Sequence, residues 1–166
     1  LKLRILIHRG KYEEFRTLMD EIEEKIYIND LRMFSDTLDL IRAYIYSNLK
    51  EESKIPKWII NGNFENTRLL FPTMPLVNFI YSKVLITKKD YIKVVALYDK
   101  SMAMARIFPN LLCEIFESMH IAIAYDNLSK RKDAIEKLEK ALEIAISDRL
   151  YMIFAENYTD IKSLLE

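Results

Sequence analysis

Ile121-Ala122-Ile123-Ala124-Tyr125, Ser129-Lys130-Arg131-Lys132-Asp133-Ala134-Ile135 and Lys140-Ala141-Leu142-Glu143-Ile144 are the three stretches whose reading decides the fold. Apolar residues recur at helical spacing on either side of a polar turn, which predicts helices over 109–128 and 131–147. The alanines carry the packing information. Where two helices cross closely, a side chain beyond one methyl group holds the backbones apart. Ala122, Ala134 and Ala141 therefore mark the contact line of a tight helix pair.

This pattern resembles the tetratricopeptide repeat. The motif's small residue in its first helix falls on Ala122, its aromatic on Tyr125, and its two second-helix alanines on Ala134 and Ala141. Ser129 stands at the motif's glycine and Ser118 at its tryptophan, and both are departures. Laid further back, the template picks out Ser82, Leu85, Asp90-Tyr91, Val94 and Tyr98, and at the start Leu6, Gly10, Tyr12, Phe15 and Met19. Phe15, Val94 and Ala134 are equivalent positions, 79 and then 40 residues apart. The larger gap is about twice the smaller, so a divergent unit is expected over 30–60, ending at Trp58-Ile59-Ile60. The period exceeds the usual repeat of about 34 residues. No helix hairpin buries both faces alone, so such units must stack.

The expected fold is all-α: a tetratricopeptide-like antiparallel helix-pair solenoid, a right-handed superhelix of about four helix pairs, forming one domain over 1–166. The alternative is a non-repeating helical bundle with coincidental alanines. Working outward, 1–28 reads as two helices meeting at Arg9-Gly10-Lys11, with Phe15, Leu18, Met19, Ile22 and Ile26 on one face of the second. A third helix is expected from Asp30 to Asn48 with Phe34, Leu38, Ile41, Ile45 and Leu49 as its buried stripe. Residues 61–75 are too apolar for a free linker and read as an ordered irregular loop between the two halves. Helices follow at 75–87 and 90–107, with turns at Lys88-Lys89, Pro109-Asn110 and Ser129-Lys130. Two last helices are expected at 148–155 and 158–166, with Ser147 and Asp148 as capping residues.

Composition agrees with long helices. Glycine occurs twice, too rarely for a phosphate-cradling loop. The charge is balanced, with 25 Lys+Arg against 25 Asp+Glu, which disfavours tracking of a nucleic-acid backbone by this segment. No apolar run approaches the roughly 20 residues of a membrane span. A lone Cys113 forms no internal disulfide, so a cytoplasmic location is expected. Leu1 opens inside a helical pattern, and Ile161, Leu164 and Leu165 close on one, as expected of a fragment of a longer chain.

A wider resemblance rests on the order of local phrases. It runs Ile55-Pro56-Lys57-Trp58-Ile59, Phe64, Leu69-Leu70-Phe71-Pro72, Asp90-Tyr91, then Ala134 to Ala145 and Asp148 to Asn157. The series is similar to the helical-repeat region of MalT-like, LuxR-type bacterial transcriptional regulators. In that family an NTPase domain precedes the repeats and a helix-turn-helix DNA-binding domain follows them. The resemblance implies a domain that senses an inducer or a protein partner for those two ends. No Walker lysine loop and no basic recognition helix occur here, so neither activity is carried over to residues of this chain.

Enzymatic chemistry finds no support in the sequence. Cys113 and His120 lie two turns apart, about 10 Å of rise, too far for a dyad. Glu13, Glu14, Glu23 and Glu24 oppose an apolar stripe and read as a solvated face, as do Lys130-Arg131-Lys132 and the lysines 83, 88, 89 and 93. No cofactor and no metal are expected. The first helix of each tetratricopeptide pair lines the concave groove. Projecting those positions gives Leu76, Phe79, Lys83 and Ile86 on one unit, and Phe116, Met119, Ile123 and Asn127 on the next. A mostly apolar wall of this kind suits a small-molecule inducer or a protein or peptide partner. The competing expectation is a plain scaffold for protein–protein contact, unrelated to transcription.

Overall fold

The structure is a computed structural model that describes residues 2–107 and 110–166. Among the described residues there are ten α-helices and no strand. They are α1 (Lys2–His8), α2 (Tyr12–Ile28), α3 (Ser35–Asn48), α4 (Lys57–Asn61) and α5 (Met74–Thr87), then α6 (Tyr91–Ile107), α7 (Leu111–Asn127), α8 (Arg131–Asp148), α9 (Met152–Glu156) and α10 (Tyr158–Leu165). Short 3-10 turns occupy Arg32–Phe34, Glu52–Lys54 and Phe71–Thr73.

One device ends most of these helices. Gly10, Asp30, Lys50, Gly62, Lys89, Ser129 and Arg149 all take a left-handed conformation, with φ between 50° and 72°. Each sits just past a helix end. At Ser129 its own N–H donates to the Asp126 carbonyl (3.0 Å) and the Lys130 N–H donates to the Tyr125 carbonyl (2.8 Å). The same two bonds recur at Lys89 and at Lys50, satisfying carbonyls that the helix leaves unpaired. Four of these turns, at 10, 50, 89 and 129, are 40, 39 and 40 residues apart. Glycine is needed most at Gly62, where a Cβ would meet the Tyr81 hydroxyl at 2.5 Å.

Short connections make neighbours antiparallel: three residues join α5 to α6 and α7 to α8, and each pair packs along its length. Ala122, Ala134, Ala141 and Ala145 are fully enclosed along the α7–α8 contact. α5 and α7 also pack on each other, and α3 packs on α5. This places α7 at the centre, buried on nearly every side from Cys113 to Ala124. Two apolar cores result. The larger runs from Leu40 through α5 and α7 to Leu164. The smaller joins α1, α2 and α3 through Leu3, Leu6, Phe15, Met19, Leu38 and Ile45.

The structure corrects the sequence reading in the first half and at the end. The third helix begins at Ser35, because Arg32–Phe34 forms a separate 3-10 turn. Phe34 and Ile41 are exposed, while Leu40 and Ala43 are buried, since α3 packs on α5 as well as on α2. The helix expected at 148–155 starts at Met152, because left-handed Arg149 first ends α8. Ser147 and Asp148 lie in the last turn of α8, where the Ser147 hydroxyl donates to the Ile144 carbonyl (2.9 Å), so they do not cap the next helix. The 61–75 stretch is tied down: Phe64 packs edge-on against Trp58 and Tyr81, and the Arg68 N–H donates to Asp36 (2.6 Å). The turn expected at Pro109 and the side chain of Phe71 lie outside the described residues.

Candidate functional site

An apolar pocket of about 250 Å³ opens where α1, α3, α5 and α7 converge. α1 supplies Leu3 and Arg4, and α3 supplies Thr37, Leu40, Ile41, Tyr44 and Ile45. Thr73, Leu76, Phe79 and Ile80 enter from the start of α5, and Leu112 and Phe116 from α7. No residue of α2, α4, α6 or α8 lines it. An aromatic trio forms one wall: Phe79 and Phe116 stack at 4.5 Å between centroids, and both meet Tyr44 edge-on at 6.1 Å. The pocket lies on the seam between the two cores, with Leu3 and Ile45 from the smaller and Leu40, Phe79 and Phe116 from the larger.

A polar cluster borders the pocket and joins the two ends of the chain. Glu156, at the end of α9, has a side chain only 2% exposed. It accepts hydrogen bonds from Nε and Nη2 of Arg4, accepts another from the Tyr44 hydroxyl (2.5 Å), and contacts His8 Nε2 at 2.5 Å. Burial pushes this carboxyl up, but the bonds from Arg4 and Tyr44 outweigh it and hold it below the ordinary value. Burial, then the Glu156 carboxylate, raises the Tyr44 hydroxyl, which stays protonated as a donor.

One turn further on, Asp160 anchors a second cluster. Lys83 Nζ donates to Asp160 (2.7 Å) and to Asn157 Oδ1 (2.6 Å), and Lys50 Nζ donates to the other Asp160 oxygen (2.6 Å). Against its desolvation, the two ammonium groups hold the Asp160 carboxyl below the usual range. Asn157 turns its amide back to the Ile153 carbonyl (2.8 Å), at the break between α9 and α10. α9 and α10 are thus strapped to α1, α3 and α5 by carboxylates meeting cations.

The eight residues projected onto a groove divide among different places. Leu76, Phe79 and Phe116 line the apolar pocket. Ile86, Ile123 and Asn127 border a separate, more polar depression beside Asp160 and Tyr91. Met119 is enclosed in the larger core and lines neither, since α5, α6, α8 and α10 all pack on α7. Lys83 is also enclosed, its ammonium spent on Asp160 and Asn157. Sequence reasoning missed Arg4, Glu156 and Asp160. Their pairing spans most of the chain and follows no periodic pattern.

Cys113, His120 and Glu117 are all buried on α7. Burial, aided by Glu117 and Glu114, pushes the Cys113 thiol up to about 12, so it is not a thiolate at neutral pH. His120 is wholly enclosed beside Phe116, and neither ring nitrogen has a protein partner. Burial, and then nearby Lys83, hold it well below its ordinary value and hence neutral. Glu117 is enclosed too, accepts from the Ser82 hydroxyl (3.1 Å), and is raised by burial to about 8. No group of three or more His, Cys, Asp or Glu suited to a metal occurs among the described residues. Among the described residues no helix is long and apolar enough to cross a membrane.

Glu13, Glu14 and Glu23 pair with Arg16, Lys11 and Arg42 at the surface. Arg131 bonds Asp126 (3.1 Å) and Lys130 lies over the Tyr125 ring, so the basic run there is part of a turn. Comparison with protein-family models, with curated proteins and with solved structures returns no match.

Proposed function

We propose that this chain is the sensing segment of a MalT-like, LuxR-type transcriptional regulator, a tetratricopeptide-like solenoid of about four helix pairs that binds an effector on the inner side of its first helices. The observation that carries the reading is the spacing of the left-handed turns at Gly10, Lys50, Lys89 and Ser129. Each separates the first from the second helix of a unit, and Ser129 stands where the repeat motif places glycine. The near-constant interval supports four units, with α3 and short α4 as the divergent second one. The pocket adds support, since its walls come from the first helices of all four units.

A ligand shifts a two-state protein only through different affinity for the two states. A pocket on the seam between two cores meets that condition, because sliding either core changes its walls. The effector therefore acts by fixing the first pair against the rest, and the parent's NTPase and DNA-binding ends read that arrangement. The chain itself does no chemistry and binds no nucleic acid.

Sequencing the gene beyond Glu166 tests the assignment. A helix-turn-helix shortly downstream supports it, and a stop codon there sinks it. For the segment alone, a ligand at about 100 times its dissociation constant adds about 2.7 kcal/mol of stability, readily seen by thermal shift.

A scaffold for protein partners is the second reading, and one observation favours it. Tyr27, Ile28, Leu31, Met33 and Phe34 are all exposed at the end of α2 and the following 3-10 turn. A run of exposed apolar residues of this kind is a feature of protein contact sites.

A further inference from the structure

We infer that the seam pocket takes a neutral, largely apolar small molecule, and that charged ligands such as carboxylates are excluded from it. The inference rests on the sensor reading of the same pocket and names its ligand class. Size comes first. A dry cavity of about 150 Å³ lined by aliphatic and aromatic side chains takes up benzene. At about 250 Å³ this pocket has room for a ring with a short alkyl tail or for a medium-length chain.

Selectivity follows from which polar atoms are already committed. Arg4 is the one charged residue in the wall, and its Nε and Nη2 are held by Glu156. The Tyr44 hydroxyl is held by the same carboxylate, and the Thr73 hydroxyl donates to the Leu70 carbonyl at 2.6 Å. Thr37 adds one neutral hydroxyl, and the remaining walls are aliphatic or aromatic. An incoming carboxylate has three choices, and each is unfavourable. It displaces Glu156 from Arg4, stranding an enclosed carboxylate with His8 and Tyr44, it crowds against the Glu156 carboxylate on the remaining N–H groups of Arg4, or it lies unpaired against hydrocarbon. A neutral ligand disturbs neither ion pair. It fills the space between Leu3 and Ile45 on one side and Leu40 and Phe116 on the other, and so ties the two cores together. Arg4 and Tyr44 each face the pocket and hold Glu156, so the same occupancy steadies α9 and α10.

The test uses the 166-residue chain at pH 7 with octanol, octanoate and glucose as probes, read by calorimetry and thermal shift. Octanol is expected to bind and to raise the melting temperature, with octanoate weaker by at least about tenfold. Hydrogen exchange with octanol bound should slow at 2–8 and 152–165. Leu76→Trp fills the pocket and should abolish octanol binding. Ile41→Glu, at a position already exposed on the rim, should weaken it without disturbing the fold. Octanoate binding as tightly as octanol overturns the ligand class and leaves the sensor reading standing, as does a response to glucose alone. Absence of octanol binding, or binding indifferent to both variants, overturns the inference at its root.

Discussion

Glu117→Gln is expected to stabilise this protein at neutral pH and to do nothing in acid. The Glu117 side chain sits on α7 at the centre of the fold, with Oε2 accepting from Ser82 and Oε1 left without a partner. Burial raises its pKa from 4.5 to about 8, against the smaller opposing influence of the nearby Ser82 and Ser101 hydroxyls. In the unfolded chain the group ionises near its ordinary value, so the folded state holds a proton that the unfolded state releases. Stability is then fully present below the unfolded pKa and falls as pH rises toward 8. Each unit of difference is about 1.4 kcal/mol, so at pH 7 the glutamate costs on the order of 3 kcal/mol. Glutamine keeps the shape of the protonated acid, its amide oxygen can accept from Ser82, and it does not ionise.

Urea denaturation of both proteins from pH 4.5 to pH 8 measures the effect. The two curves should coincide at the acid end and separate steadily above it. At pH 7 the difference corresponds to about 6–12 °C in melting temperature. A difference that stays flat across the range, or a wild type the more stable at pH 7.5, refutes the assignment of a protonated buried carboxyl.

Three further outcomes follow from packing and backbone geometry. Gly10→Ala should cost roughly 1–2 kcal/mol for its left-handed backbone alone, while Gly62→Ala should cost more, because its Cβ also meets Tyr81; paired urea melts compare them. Asp160→Asn leaves the enclosed Lys83 ammonium without a counter-ion and should cost about 3–5 kcal/mol, recovered in large part by adding Lys83→Met, as a double-mutant cycle reports. Ala122→Leu forces α7 away from its neighbours and should cost at least about 1–3 kcal/mol while far-ultraviolet dichroism keeps its helical signal.

The second half of the fold was legible because its signals are local. Ala122, Ala134 and Ala141 sit at helical spacing, and the structure encloses each of them. The first half was harder to read, since the break before Ser35 depends on a 3-10 turn that no capping residue announces. Met119 and Lys83 are enclosed for a reason that was visible in the residues. α5 and α7 are apolar around most of their circumference, and a helix of that kind is buried rather than lining an open wall. Met119 and Lys83 could have been read as interior on that ground. The Arg4–Glu156 and Lys83–Asp160 pairs had no such signal, because charges 152 and 77 residues apart follow no period.

Entombment of the central helices changes where a partner can act. In an open stack the inner wall is free along its length, and affinity comes from many shallow contacts. Here α10 packs on α7 and α8, Glu156 and Asp160 tie α9 and α10 to α1, α3 and α5, and the apolar space is the seam between the cores. A ligand in that seam touches α1, α3, α5 and α7 at once. Such a site reports on the relative placement of helix pairs more directly than a groove does, because shifting any one of them reshapes it. The carboxylate that ties α9 to α1 and α3 also sets its chemistry: by occupying Arg4 and Tyr44, Glu156 leaves the pocket little to offer except hydrocarbon.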